Sequence, residues 1–411
     1  MSKNTACGVY SARLHAILYG LLLVITPFIL LQNYLVEQIS VISMTSIELG
    51  GRSMPVLPFV AALFILTLLT LHRRKLTGLR ILALLIVATM WVLAQQITDY
   101  YFDHNSYDLQ QNWHYLAYGL FALFVYRDLH YRQAGMAGMM LTVYVVAFGL
   151  STFDEFFQMH MSSRVFDISD IAKDLWGVLA GIVLVYLWVT DATELRRQWR
   201  QIRHRKLRNY FRHPPSLLVI MFVFAGSMLC YGSLLTEFDY VLVVAGLALA
   251  TAASFLVLLH LSRYEVIMGI MMVLLVSAIA VQSYFFFKYR SADITHHEHG
   301  LTIYRGVPII YFDFMVFPDG GFRLVDKKHY FNRRDQEFLK KQGADIILIG
   351  AGSEGMGGNG FPSRQPVQFI FDQHRRRGTQ VIILNSNEAC LEFNRLKREG
   401  KNVLFVLHNT C

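Results

Sequence analysis

Long apolar runs separated by short polar breaks organise the chain as far as Arg290. Runs near 14–35, 55–71, 79–96, 113–126, 136–153, 171–190, 216–235, 239–260 and 265–287 approach the roughly 20 residues that a helix needs to cross a bilayer. They predict about nine transmembrane helices, the fourth being the shortest. Beyond Arg290 the pattern changes to short β-branched runs alternating with amphipathic stretches. Strands are predicted at 301–305 and 307–317, with a turn at the PDGG that starts at Pro318. Helices follow near Asn332–Gln342, Val367–Arg377 and Asn387–Glu399, with strands at 344–350, 379–384 and 402–407. The expected fold is an α-helical polytopic membrane bundle followed by a small three-layer α/β domain with a mixed sheet. The corresponding divisions are N-terminal helices over 1–94, a second helical unit over 95–192, a basic loop over 193–215, three helices over 216–290 and a soluble domain over 291–411.

Composition agrees with a membrane class. Of 411 residues 54% are hydrophobic and 16% charged, with 30 Phe and 21 Tyr. The first run follows Lys3 and Arg13 and precedes NYLVEQIS, which has no small-residue cleavage pattern, so a retained anchor is expected. Cys7, Cys230, Cys390 and Cys411 lack metal-type spacing, and Cys390 with Cys411 could pair in an extracytoplasmic domain.

Loop charge sets the expected topology. Arg73, Arg74, Lys75 and Arg80 follow the second run, Arg127 and Arg132 the fourth, and Arg196 through Arg212 the sixth, whereas the loop over 96–112 has neither lysine nor arginine. The positive-inside bias places the N-terminus in the cytoplasm and the acidic loops outside. Nine spans then put the C-terminal domain in the periplasm of a bacterial inner (cytoplasmic) membrane. The basic stretch over 196–212 is read as a contact to anionic headgroups of the bilayer, not as a nucleic-acid patch.

A charged cluster, DEFFQMHMSSRVFDISDIAKDLWG over 154–177, interrupts this apolar pattern. Asp154 or Glu155 shares a helical face with Gln158, while Asp167, Asp170 and Asp174 recur at i, i+3 and i+7. Arg164 is placed to pair with a carboxylate, and Gly177 and Gly181 permit close approach of a neighbouring helix. His114 starts the fourth run on the same predicted side, beside Trp113 and Tyr115. Two readings follow: a structural one, with Asp167 and Asp170 capping a helix and Arg164 neutralising them, and a water-facing pocket of His114, Glu155 and Asp170 for proton transfer or a cationic ligand. Metal binding by His114 or His160 lacks a supporting spacing.

His114, Tyr118, Gly119, Glu155, Gln158, Arg164, Asp170, Gly177 and Gly181 together resemble the VanZ family pattern over about 95–190. Two positions depart from it: Gln110 or Asn112 stands where an acidic residue is usual, and Asp174 where Asn is usual. The resemblance implies a cell-envelope role, glycopeptide resistance being the family's best-known phenotype. The candidate polar pocket is His114, Glu155, Gln158, Arg164, Asp170 and Asp174.

In the C-terminal domain Gly350–Gly355 spells GAGSEG, but MGGNGFP follows instead of a helix, and the next strand ends at Asn385 instead of an acid, so a dinucleotide site is not expected. The loop with Gly350 and Gly352, together with Asn387 and Asn394, is the candidate binding region. Asn387 is expected to cap the last helix, Ala389 and Leu396 to pack on the sheet, and Gly400 to end the helix in a left-handed conformation. The HHEH run over 296–299 reads as a solvated linker, with no metal expected.

DIILIGAG, VIILNSNEAC and EFNRLKREGKNV, with FDFMVFPDGGF upstream, resemble the small domain of complex I assembly factor 3 and its prokaryotic relatives. Asn394, Leu396, Glu399 and Gly400 match that pattern, whereas Ala351, Phe393 and Lys401 depart from it. This resemblance implies binding or assembly without catalysis. The main expectation is an accessory or assembly factor for a membrane protein complex, with no cofactor. The alternative is a VanZ-like envelope protein or membrane enzyme acting on a cationic or lipid-linked substrate through the acidic pocket.

Overall fold

The computed structural model describes residues 38, 41–42, 45–49, 52–71, 73, 76–98, 109–131, 135–160, 166–362, 365–372 and 377–410. The chain forms two compact units, one built from the helices up to Arg263, the other from Ser233–Glu237 and the chain from Tyr264 onward.

In the first unit an antiparallel hairpin, β1 (Ser46–Leu49) with β2 (Arg52–Pro55), leads into α1 (Val56–Leu71). Helix α2 (Gly78–Ile97) starts at Thr77, whose side chain accepts a hydrogen bond from the Arg80 N–H. Next come α3 (Leu109–Tyr131), α4 (Met136–Gln158) and α5 (Ile168–Val189). Helix α5 is the axis of this bundle: most of it is buried, and it packs against α2, α3 and α4. Small residues make the α3 contact tight. A Cβ at Gly177 would stand 2.7 Å from the Tyr115 carbonyl oxygen, and one at Gly181 would stand 2.6 Å from that of Gly119. The Trp176 indole donates to the Met90 carbonyl at 2.9 Å, tying α5 to α2.

The unit continues with α6 (Ala192–Arg200), α7 (Pro214–Leu234) and α8 (Val241–Leu261). Among the described residues six helices are long and apolar enough to cross a membrane: α2, α4, α5, α7, α8 and α9 (Glu265–Tyr289). Of the nine predicted spans, the run 14–35 lies outside the described residues. The runs 55–71 and 113–126 coincide with helices, but α1 has only 16 residues and α3, with 23, is too polar to count by the same measure.

Helix α9 opens the second unit. Its end packs on the turn of a three-stranded antiparallel sheet, β3 (Ile294–Glu298), β4 (Leu301–Tyr304) and β5 (Val307–Ile310), where Gln282 donates to the Gly306 carbonyl at 3.0 Å. The main sheet adds β6 (Phe314–Val316), β7 (Phe322–Leu324), β8 (Ile346–Gly350), β9 (Val367–Asp372), β10 (Arg377–Leu384) and β11 (Val403–Leu407), in the order β7-β6-β11-β8-β10-β9. Its central strands β11, β8 and β10 are parallel, while β6 and β9 pair antiparallel at their flanks. Helix α10 (Arg333–Lys341) belongs with Phe331, Phe361 and one sheet face, and α11 (Ser386–Arg398) with β4, β5 and the other. Phe393 stacks on Phe405 at 4.7 Å, both fully buried, and burial of each such ring contributes about 2 to 3 kcal/mol.

Several expectations are corrected here. The predicted helix over Val367–Arg377 is the hairpin β9–β10, with Phe369 opposite Gln380. The predicted strand over 307–317 is split by Tyr311, whose φ of +69° breaks the extended backbone. The HHEH segment forms strand β3 and its bend, not a linker, and His297 bonds to Thr302 at 2.7 Å. Asn385, not Asn387, caps α11, accepting from the Glu388 N–H at 2.9 Å. Gly400 does end that helix in the left-handed region at φ +71°.

Candidate functional site

Three helices bring their polar residues to one place. The first turns of α3 and α5 and the last turns of α4 carry His114, Lys173 and a group of carboxylates, because α5 starts where α4 ends. Nδ1 of His114 lies 2.9 Å from an oxygen of Asp174, and Nε2 lies 3.7 Å from Asp170, so one imidazole is held between two carboxylates of α5. The other Asp174 oxygen accepts from the Ser151 hydroxyl of α4 at 2.6 Å. Lys173 bonds to Asp170 at 3.0 Å and is itself buried. Asp174, Glu155 and Ser151 are at most 3% exposed. Such groups are costly in an apolar surround unless paired, and here every named contact joins opposite charges or a donor to an acceptor.

A second layer closes the end of the bundle. The Glu155 carboxylate accepts from the Asp167 backbone N–H at 3.0 Å and from the Gln158 amide at 3.2 Å, and the same amide reaches Asp154 at 3.1 Å. Asp167 caps α5 by accepting from the Ser169 N–H at 2.8 Å. Burial, with the negative charge of Asp170 adding to it, pushes the Asp167 carboxyl up to about 6. On α3, Asn112 accepts from Trp91 and Gln95 of α2, so it serves helix packing.

Of the predicted pocket residues, His114, Asp170 and Asp174 touch one another, and Glu155 with Gln158 forms the adjoining layer. Arg164 lies outside the described residues. Lys173, absent from that set, provides the cation on Asp170, and its i, i+3 spacing was the available signal. Ser151 was missed because nothing local marks a serine in an apolar run. Asp170 does not cap α5; it faces His114 and Lys173 instead. His160 bonds to the Phe156 carbonyl at 2.9 Å. Among the described residues no group of three or more His, Cys, Asp or Glu is arranged to hold a metal ion.

The candidate loop residues of the second unit have the following partners. Gly350 packs beneath Leu407 and Ala389, while the Gly352 N–H donates to the Ser386 hydroxyl at 3.0 Å. Asn387 is exposed on α11. Asn394 clips β3 to that helix, accepting from the Ile294 N–H at 3.0 Å and donating to the Ile294 carbonyl at 2.8 Å. No helix opens after Gly350, so the phosphate-binding turn of a dinucleotide fold is absent from the described residues there. Burial pushes the Cys390 thiol up to about 12, leaving it a packing residue.

Residues 56–189, about a third of the chain, match the family profile described as VanZ/LLP1, a match that begins upstream of the expected position 95. No curated protein matches the chain. A solved structure titled MT938 is 22% identical, covers 29% of this chain and 98% of its own, and has a TM-score of 0.23. The conserved hypothetical protein PH1505 from Pyrococcus horikoshii OT3 is 21% identical, with coverage of 29% and 99% and a TM-score of 0.22.

Proposed function

We infer that the helical unit is a VanZ-like membrane component that binds a cationic or lipid-linked substrate at the polar cluster of α3, α4 and α5. Charge imbalance among the described residues carries this reading: Asp154, Glu155, Asp167, Asp170 and Asp174 share the cluster there with one ammonium, Lys173, and one imidazole, His114. A cation arriving there meets acceptors already fixed by the three helices. His114, between two carboxylates, is also placed to exchange a proton with a bound group.

The loop charges support a cluster at the outer mouth of a bacterial inner membrane, with the N-terminus cytoplasmic and a three-layer α/β domain periplasmic. Counting the run 14–35, α1 and α3 gives nine spans. Exposed Trp199 and the arginines Arg197 and Arg200 at the end of α6 suit anionic headgroups, as does a cleft of about 560 Å³ where Arg208, Arg212 and Phe211 meet Met136 and Leu141.

Native mass spectrometry of the solubilised chain tests the substrate class. A lysyl-modified, cationic phosphatidylglycerol is expected to be retained over unmodified phosphatidylglycerol of the same chains, and Asp170→Asn with Asp174→Asn to remove the preference. Equal retention of both lipids by the native chain overturns the reading.

An accessory or assembly role, implied by the resemblance of the α/β domain, is supported by its open sheet edge. On the terminal strand β9, Phe369 is 71% and Phe371 62% exposed, a surface suited to an added strand from a partner. Cross-linking from position 371 in membranes, compared with Phe369→Asp, checks it: loss of a specific adduct in the variant supports docking, and adducts unaffected by the change reject it.

A further inference from the structure

The α/β unit contains a buried imidazole that is only half used. His408 follows β11 and Asp313 precedes β6, so antiparallel pairing of those strands sets the two side chains together, 2.7 Å apart and both fully buried. The other Asp313 oxygen accepts from the Asn409 N–H at 2.8 Å. A carboxylate accepting at both oxygens places an imidazole proton on Nδ1, so in the neutral ring the lone pair is on Nε2. That nitrogen is buried and has no hydrogen-bond partner.

What covers Nε2 is the glycine loop at the carboxyl end of β8. Gly357 lies against the ring: a Cβ there would stand 2.5 Å from Cδ2 and 2.7 Å from Nε2. The loop is tied at its base by the Gly357 N–H donating to the Ala351 carbonyl at 2.9 Å, while its crown, Ser353–Met356, is exposed. Gly352, Gly355 and Gly358 all have positive φ, so its course depends on residues without side chains. In parallel sheets this end of the strands is where ligands enter.

The surround selects the ligand. An anion at the start of α11 is disfavoured, because the Ser386 N–H is taken by the Gly352 carbonyl at 3.1 Å and the Glu388 N–H by Asn385. A carboxylate pairs with the neighbouring imidazole as well: the His329 ring stacks parallel to His408, with centroids 6.0 Å apart, and bonds to Glu237 at 2.9 Å. We propose that His408, oriented by Asp313 and covered by the Gly350–Gly358 loop, is the acceptor of a binding site for a small hydrogen-bond donor, an alcohol or a protonated amine. The site stands independently of the membrane reading, since all its residues belong to the second unit.

The test uses the full chain in lipid nanodiscs with isotope-labelled histidine, the His408 ring signal among 15 histidines being identified by its loss in His408→Gln. Ethanol, ammonium chloride and ethanolamine are titrated separately, with sodium chloride as the ionic control. A saturable shift of the His408 Nε2 signal with at least one donor is expected, ethanol and ammonium separating neutral from charged recognition. Gly357→Ala is expected to weaken that response by about tenfold or more, with hydrogen exchange at Leu404–Leu407 reporting that the sheet is intact. No saturable shift with any of the three on the native chain, or the same shift with sodium chloride, overturns the proposal whether or not the variant folds.

Discussion

Two carboxylate-bound histidines divide the molecule's polar chemistry. His114 in the helical bundle has a carboxylate near each ring nitrogen, whereas His408 in the α/β unit has one on a single nitrogen and apolar loop atoms on the other. The first follows the rule that ionisable groups within a bundle of apolar helices pair with one another. The second persists because a sheet core can carry one unmet acceptor out of a well-packed total. An imidazole flanked by two carboxylates is suited to holding charge, and one with a single carboxylate keeps a nitrogen for another contact.

The largest effect that sharpens this contrast is expected from Asp174→Ala. It strips both His114 and Ser151 of their acceptor and should cost about 3 to 5 kcal/mol, read by unfolding of the solubilised protein. A loss below about 1 kcal/mol would show that the cluster is hydrated and His114 is not confined. Asp313→Ala comes next. It strands the Asn409 N–H and the His408 Nδ1–H, at about 1 to 3 kcal/mol, with faster amide exchange at the end of β11 as the readout. Ser151→Ala should cost about 1 kcal/mol, because His114 still holds Asp174.

The smallest effect concerns acidification. Burial lowers both His204 and His213 from the usual imidazole range, with His204 adding to the shift of His213; both bond to Ser216, at 3.0 and 2.9 Å. The unfolded rings therefore take up protons first as pH falls. Stability is full above about 6.5 and declines below it until the folded rings titrate. From pH 7.5 to 5.5 the melting temperature of the native chain should fall further, relative to its value at pH 7.5, than that of His213→Gln; an identical pH response in the two contradicts the assignment.

Much of the fold was legible because it rests on local periodicity. Apolar runs marked the helices around α5, and the stretch from Asn332 marked α10, which the structure starts with a capping box of Asn332 and Asp335. The hairpin β9–β10 was misread, although Val367, Phe369 and Phe371 alternate with Gln368 and Ile370 at the period of a strand; pairing with β10, which settles the matter, is not a local property. The site was legible where chemistry recurs on one helix, as at Asp170 and Asp174. It was hidden where partners meet only through topology: Ser151 reaches Asp174 from another helix, and Asp313 meets His408 across 95 positions of sequence.

The glycine crossing of α3 and α5 has a mechanical consequence. Gly177 touches the backbone of His114 and Tyr115, and Gly181 touches Gly119 one turn further on, so the two helices are in backbone contact immediately beside the His114–Asp174 bond. A contact of that kind resists approach and allows tilting, which makes it a fulcrum. The short lever from Gly177 to His114 means that a large swing of the far end of α3 moves the imidazole very little. Movement at the cluster is therefore easier on the side of α4, the helix that carries Ser151 and Glu155.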